Sequence, residues 1–383
     1  MRVVSLIVIV GAMAVSKVSA QGAPERRLTT PDAKFAHEFS AINGIRELPD
    51  GRVLVSDGID QVVLRVDMKT GRADTLGRTG QGPGEYKGPD ALYALPNGGT
   101  LLVDLGNGRL DFLAADGKYL ESTPIAQGNG PNISIVLPRA VDAQGRIYYQ
   151  PAMGGPRGGI PDSATVVRWD RARSRYDSVA RVKLPAMNTQ SSGGANNQRM
   201  VQRPRPYPAQ DTWNVGPDGR VAIARASEYR VDWVGPSGVT KGRAVAFTPV
   251  PIRDADKREW VADQANGLQI QMENRNGQMS MAFSRGGRED ADQEAAIAST
   301  EWPATKPAFN SPGVWVTPEG QAWVERSVPA GSPRVMDVFD ANGTLKERIV
   351  LPAGRRVAGF GRGVVYLRAA NESDLQLLER YRR

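Results

Sequence analysis

Cysteine is absent from the 383 residues, and histidine occurs once, as His37. Without cysteine there is no disulfide, no thiolate metal site and no thiol nucleophile. A lone histidine excludes a multi-histidine metal centre and argues against a Ser-His-Asp triad. Aromatic residues make up only 7% of the chain. No block of five or more Lys or Arg occurs, so nothing marks a nucleic-acid stripe despite the net charge of +8. Long apolar runs are missing after the first twenty residues, which excludes a later helical membrane span.

That first segment has the form of a secretory signal peptide. Met1-Arg2 gives a short positive start, Val3 to Val15 is apolar, and Val18-Ser19-Ala20 is a small-residue cleavage signature before Gln21. The expected domains are a signal peptide over 1–20 and one folded unit over 21–383, with a periplasmic or secreted location. No cysteine follows the apolar run, so a lipoprotein anchor is excluded.

Glycine and proline, by contrast, are abundant. The 42 Gly and 27 Pro make up about 18% of the chain, against roughly 12% in average usage. Much of this surplus falls in a repeated turn followed by an apolar strand. The copies begin Leu48-Pro-Asp-Gly51, Leu95-Pro-Asn-Gly98, Asp142-Ala-Gln-Gly145, Gly216-Pro-Asp-Gly219, Thr317-Pro-Glu-Gly320 and Gly361-Arg-Gly363. A second alternating segment follows each copy, as in Val62-Val-Leu-Arg-Val-Asp67 and Val335-Met-Asp-Val-Phe339. Alternation bounded by Asp-Gly or Asn-Gly reads as β-hairpins. Two hairpins in each unit of about 45 residues predict an all-β, six-bladed propeller of four-stranded antiparallel blades.

The last copy stops after its third strand. The segment from Arg27 to Glu38 precedes the first blade and is expected to supply the missing outer strand. Closing the ring in this way removes open sheet edges.

Gly77-Arg-Thr-Gly-Gln-Gly-Pro-Gly-Glu-Tyr-Lys-Gly-Pro89, followed by Gly99-Thr-Leu-Leu-Val-Asp104 and Asn107-Gly-Arg-Leu110, resembles an NHL-type repeat. Over 39–383 the chain resembles the exported six-bladed β-propeller proteins of Gram-negative bacteria, most of all those of Gemmatimonas-type organisms. That resemblance implies a fold and assigns no single activity.

The propeller order places A–B and C–D turns on one face, where all are tight. The long connections 77–89, 126–137, 150–163, 185–210, 251–312 and 326–333 fall on the other. Long, unlike loops on a rigid scaffold are where binding resides. Within 251–312, between blades four and five, Asp256-Lys-Arg-Glu259 has capping-box spacing, and Val261, Ala265, Leu268 and Met272 form one helical stripe. A second helical piece is expected over 289–298. The 185–210 segment, rich in Gly, Ser, Asn and Gln, reads as a mobile loop.

Candidate ligand contacts on the loop-bearing face are Arg78, Tyr93, Arg139, Trp213, Arg225, Trp315, Arg326 and Arg368, with Arg157 in a long connection. Arginine forks recognise carboxylates and phosphates, and aromatics beside them suit a glycan or an anionic peptide. The expected function is a monomeric, non-catalytic binding or scaffold module for a glycan, peptide or envelope protein, without a cofactor. The alternative is a metal-dependent hydrolase or lactonase. In that reading Asp57, Asp104 and Glu325, at the ends of second strands, bind Ca²⁺ through oxygen ligands, as resemblance to gluconolactonase-like propellers would imply. Virginiamycin-lyase-like propellers rely on a histidine. His37 belongs to the N-terminal strand, far from the predicted mouth, so that resemblance fails at the active residue. Gly80-Gln-Gly-Pro-Gly84 lacks the Gly-Lys-Ser/Thr ending of a phosphate cradle and reads as a blade-linking turn.

Overall fold

A computed structural model describes residues 22–128, 134–151, 161–192, 199–265, 269–275, 278–284 and 290–383. The expected signal peptide lies outside the described residues.

Six four-stranded antiparallel units follow one another along the chain. Their inner strands are Gly44–Glu47, Pro89–Ala94, Pro138–Val141, Thr212–Val215, Phe309–Val316 and Arg355–Gly361. Neighbouring inner strands touch around most of the ring. The molecule is a six-bladed β-propeller.

The repeated glycine has a physical reason. Gly51, Gly98, Gly145, Gly219, Gly320 and Gly363 all sit between inner and second strands at positive φ, from 66° to 84°. A side chain is disfavoured there, and glycine adopts this conformation freely. After each turn the second strand is buried on both faces, as Val53–Asp57 and Thr100–Asp104 illustrate. Apolar clusters fill the gaps between blades, and Trp213, Trp233 and Trp323 are each 1% exposed.

The ring closes as the sequence predicts. Ala33–Phe39 pairs antiparallel with Gln376–Arg382 and becomes the outer strand of blade six. Asp32 accepts two hydrogen bonds from Arg380, each 3.0 Å, just before that strand begins. His37 lies in the closing strand with its ring edge-on to Phe39. An additional strand, Glu25–Arg27, runs parallel to Leu345–Val350 and gives blade five a fifth member. Leu28, 7% exposed, follows it into the apolar contact between blades five and six.

Two expectations about the long connections need correction. The helical stripe does not run through Met272. Helix α1 spans Asp254–Ala265, and Gln269–Arg275 instead pairs with Gln278–Ser284 as a hairpin. Asn276-Gly277, the two residues between those strands, is a strong hairpin signal that competes with the helical spacing. Leu268 lies outside the described residues. Asp256 also sits one turn further into the helix than the capping-box reading places it. Its carboxylate accepts from the Arg253 backbone N–H at 2.8 Å, the back-reaching half of a capping box. The second helix, α2, spans Asp290–Ala298, close to its predicted bounds. The 185–210 segment contains a hairpin, Met187–Ser192 with Arg199–Pro204. Its polar composition hid strands that pair with each other.

Candidate functional site

The long connections all join strands at the same end of the blades, opposite the six glycine turns. Helix α1 is fixed at this end by charge. Asp256 and Lys306, 1% and 5% exposed, form an ion pair at 2.7 Å. Asp256 also accepts from the Ala330 backbone N–H at 2.7 Å, and Lys306 donates to the Val328 carbonyl at 2.8 Å. Burial alone would raise the Asp256 carboxyl. The bonds from Lys306, Arg253 and Ala330 instead hold it below the usual carboxylate value.

A second tier extends this contact. Glu259 of α1 meets Arg334 at 2.8 Å, and Asp263 meets Arg356 at 2.8 Å. Arg334 belongs to the connection after the second strand of blade five, and Arg356 to the inner strand of blade six. Arg334 also contacts Glu325, which accepts from Asn310 at 3.1 Å. Burial works against the Arg334 charge, but Glu325, Glu259 and Asp263 together raise its guanidinium above the ordinary value. Tyr207 donates to the Asp256 carbonyl at 2.6 Å, and Trp260 packs edge-on to Trp302. The helix is therefore bolted across blades five and six on the loop-bearing side.

The blade-five inner strand bulges between Phe309 and Val314. The bulge brings the Pro312 carbonyl to 3.5 Å from Arg139 Nη2 of blade three. Arg139 Nη2 also donates to Thr212 Oγ1 of blade four at 2.8 Å, and the guanidinium lies 5.1 Å from the Trp213 ring centre. Tyr93 of blade two donates to the Pro138 carbonyl at 2.7 Å, one residue from Arg139. Blades two to five thus converge on Arg139. Burial pushes its guanidinium down to about 10.

The other predicted contacts are held elsewhere. Arg78 pairs with Glu85 at 2.7 Å inside its own connection. Arg225 pairs with both Asp211 and Asp232 at 2.9 Å, and Arg326 pairs with Asp337 at 3.1 Å. Arg225 and Arg326 are thus held by carboxylates, and Asp337 is shared between Arg326 and Arg348, each at 3.1 Å. Arg368 donates to the Ile42 carbonyl at 3.1 Å, a tie between blades six and one. Trp213 is core, so its contribution is to support Arg139 from behind. Trp315 is half-buried against the contact between blades five and six. Arg157 lies outside the described residues.

The three carboxylates of the metal alternative are also occupied. Asp57 accepts from the backbone of Ala41, Ile59 and Asp60. Asp104 accepts from Lys87, Gly88 and Asn107. Glu325 is taken by Asn310 and Arg334. Each serves its own blade, a turn-capping use of short carboxylates in the first two cases. The described residues bring no three His, Asp or Glu together as a metal-binding group.

Sequence reasoning missed Asp256, Lys306, Arg334 and Arg356. Single charges spread over about a hundred residues leave no spacing signal. Only the Asp256/Glu259 pair carries a spacing signal, and that spacing is a cap's.

No family model matches the chain, and no curated protein matches it. Solved structures do resemble it. A gluconolactonase from Xanthomonas campestris is 12% identical, over 94% of this chain and 95% of that one, with a TM-score of 0.42. A DUF4221 family member from Bacteroides vulgatus is 8% identical over 91% and 95%, with a TM-score of 0.44. Virginiamycin B lyase from Staphylococcus aureus is 10% identical over 91% and 97%, with a TM-score of 0.38. At these values no activity passes from any of the three to this chain.

Proposed function

We propose that this chain is an exported, non-catalytic binding module, with its signal peptide over 1–20 and its propeller over 21–383. Its loop-bearing face recognises a glycan, peptide or envelope protein. One observation carries the reading: all long connections share one face, and the largest is bolted there by a buried ion pair. Glycine turns on the other face are short and repetitive, which suits a scaffold role. Loops held in place by a rigid ring present a preformed surface, which lowers the ordering cost of binding.

The absence of cysteine makes the test clean, because a single introduced thiol takes a single label. Ser332→Cys places a bulky polyethylene glycol maleimide on the loop-bearing face. Asp116→Cys places it in a tight turn of the other face. Binding to an array of glycans and peptides should be blocked by the label at position 332 and unaffected at position 116. Equal loss at both positions, or no binding by the unlabelled protein, would refute the assignment.

A further inference from the structure

Arg139 differs from the other arginines proposed for the mouth in how its hydrogen-bond donors are used. Its Nη2 serves Thr212 and, at the long limit of 3.5 Å, the Pro312 carbonyl. No carboxylate lies within ion-pair distance among the described residues, whereas Arg78 and Arg326 each have one and Arg225 has two. Nε and Nη1 make no hydrogen bond to the described residues. The guanidinium is thus held between blades three, four and five on a residue that stays half-buried. A half-buried cation without a counter-charge is costly, and an anion that meets it removes that cost.

We propose that Arg139 is the anchor of an oxyanion site in the channel mouth, and that its ligand is a carboxylate-bearing molecule of small cross-section. This rests on the loop-bearing face being the binding face. A carboxylate matches the site better than a phosphate dianion, because one uncompensated positive charge faces the opening. Nη1, together with the loosely held second hydrogen of Nη2, presents the planar fork that a carboxylate takes bidentately. Trp213 backs the guanidinium and fixes its plane. The position on an inner strand, behind the 310–313 bulge, admits a chain end or a small acid and excludes a broad surface.

Glucuronate and glucose are suitable probes, being the same ring with and without a carboxylate. The protein is labelled with ¹⁵N-arginine, and the Arg139 Nε–H resonance is identified by its loss in Arg139→Lys. Should that variant not fold, the resonance is identified by its displacement in Trp213→Phe. Glucuronate should shift this resonance saturably, glucose should leave it unmoved, and Arg46 Nε–H should respond to neither. A silent Arg139 resonance, or an equal response to glucose, would overturn the proposal. Saturation by phosphate at lower concentration than by glucuronate would overturn the assignment to a carboxylate. If labelling at position 332 still blocks array binding while Arg139 stays silent, the binding face stands and the oxyanion site falls.

Discussion

Arg46 and Arg139 occupy inner strands of blades one and three and make the same kinds of bond. Arg46 donates to Thr100 and to the Gly98 carbonyl at 2.7 Å, as Arg139 donates to Thr212 and the Pro312 carbonyl. Burial pushes both guanidinium groups down to about 10. The difference is the local strand geometry. Gly44 and Arg46 share the buried side of theirs, against blade two, and Arg46 is 5% exposed with its Nε sealed. Arg139 sits where its strand slips register, between Pro138 and Ala140, and stays half-buried. A slip in the ladder re-aims a side chain, and it separates an arginine that wedges blades together from one that waits for a ligand.

The largest expected effect belongs to neither arginine. Lys306→Met leaves Asp256 buried without its cation and should cost about 3–5 kcal/mol in urea denaturation. A loss under 1 kcal/mol would mean that α1 is not held by this pair. Arg46→Ala comes next, at about 2–3 kcal/mol, because Thr100 and the Gly98 carbonyl lose a buried donor. Arg139→Ala should cost less, roughly 1 kcal/mol, since water can replace it in the channel. Equal losses would erase the distinction between wedge and anchor.

Asp111 supplies an effect of similar size and opposite sign. It is 2% exposed, and burial raises its carboxyl to about 6, against the pull of Arg109 and with help from Asp104. Its Oδ1 lies 3.0 Å from Arg109 Nε without hydrogen-bond geometry. The folded state therefore holds a proton that the unfolded chain releases near pH 4. Stability from this group is present below about pH 4 and is lost as pH rises towards 6. Asp111→Asn should stabilise the protein at pH 7 by about 1–2 kcal/mol and flatten that slope. Arg109 keeps Asp104 at 3.7 Å and three backbone carbonyls. An unchanged pH profile would show that Asp111 is charged in the folded state. The smallest effect is Arg78→Ala, within about 0.5 kcal/mol by the same denaturation, because its pair with Glu85 is exposed on the arginine side.

The fold was legible because it is written in local chemistry. Six turn glycines at positive φ and alternating strands between them fix blade number, strand order and the missing outer strand filled by Ala33–Phe39. The three-residue strand Glu25–Arg27 carries no such pattern, since its pairing depends on an edge made three hundred residues later. The site was legible only in part. Sequence placed Arg139, Arg225 and Arg326 together by their position near strand ends. It could not show that Asp211, Asp232 and Asp337 pair with two of them, because those carboxylates meet their partners through tertiary packing. The helix–hairpin insertion shows the same limit. A helical spacing runs on through Met272, and the pairing of Gln269–Arg275 with Gln278–Ser284 prevails over it.

The central claim is that Arg46 holds the ring and Arg139 holds the ligand. Urea denaturation and calorimetric titration with glucuronate, run together on Arg46→Gln and Arg139→Gln, test it most directly. The account predicts a crossed result: Arg46→Gln loses stability and keeps glucuronate binding, while Arg139→Gln stays within about 1 kcal/mol of the parent and loses it. Equal destabilisation of both variants, or glucuronate binding undiminished in Arg139→Gln, would contradict it.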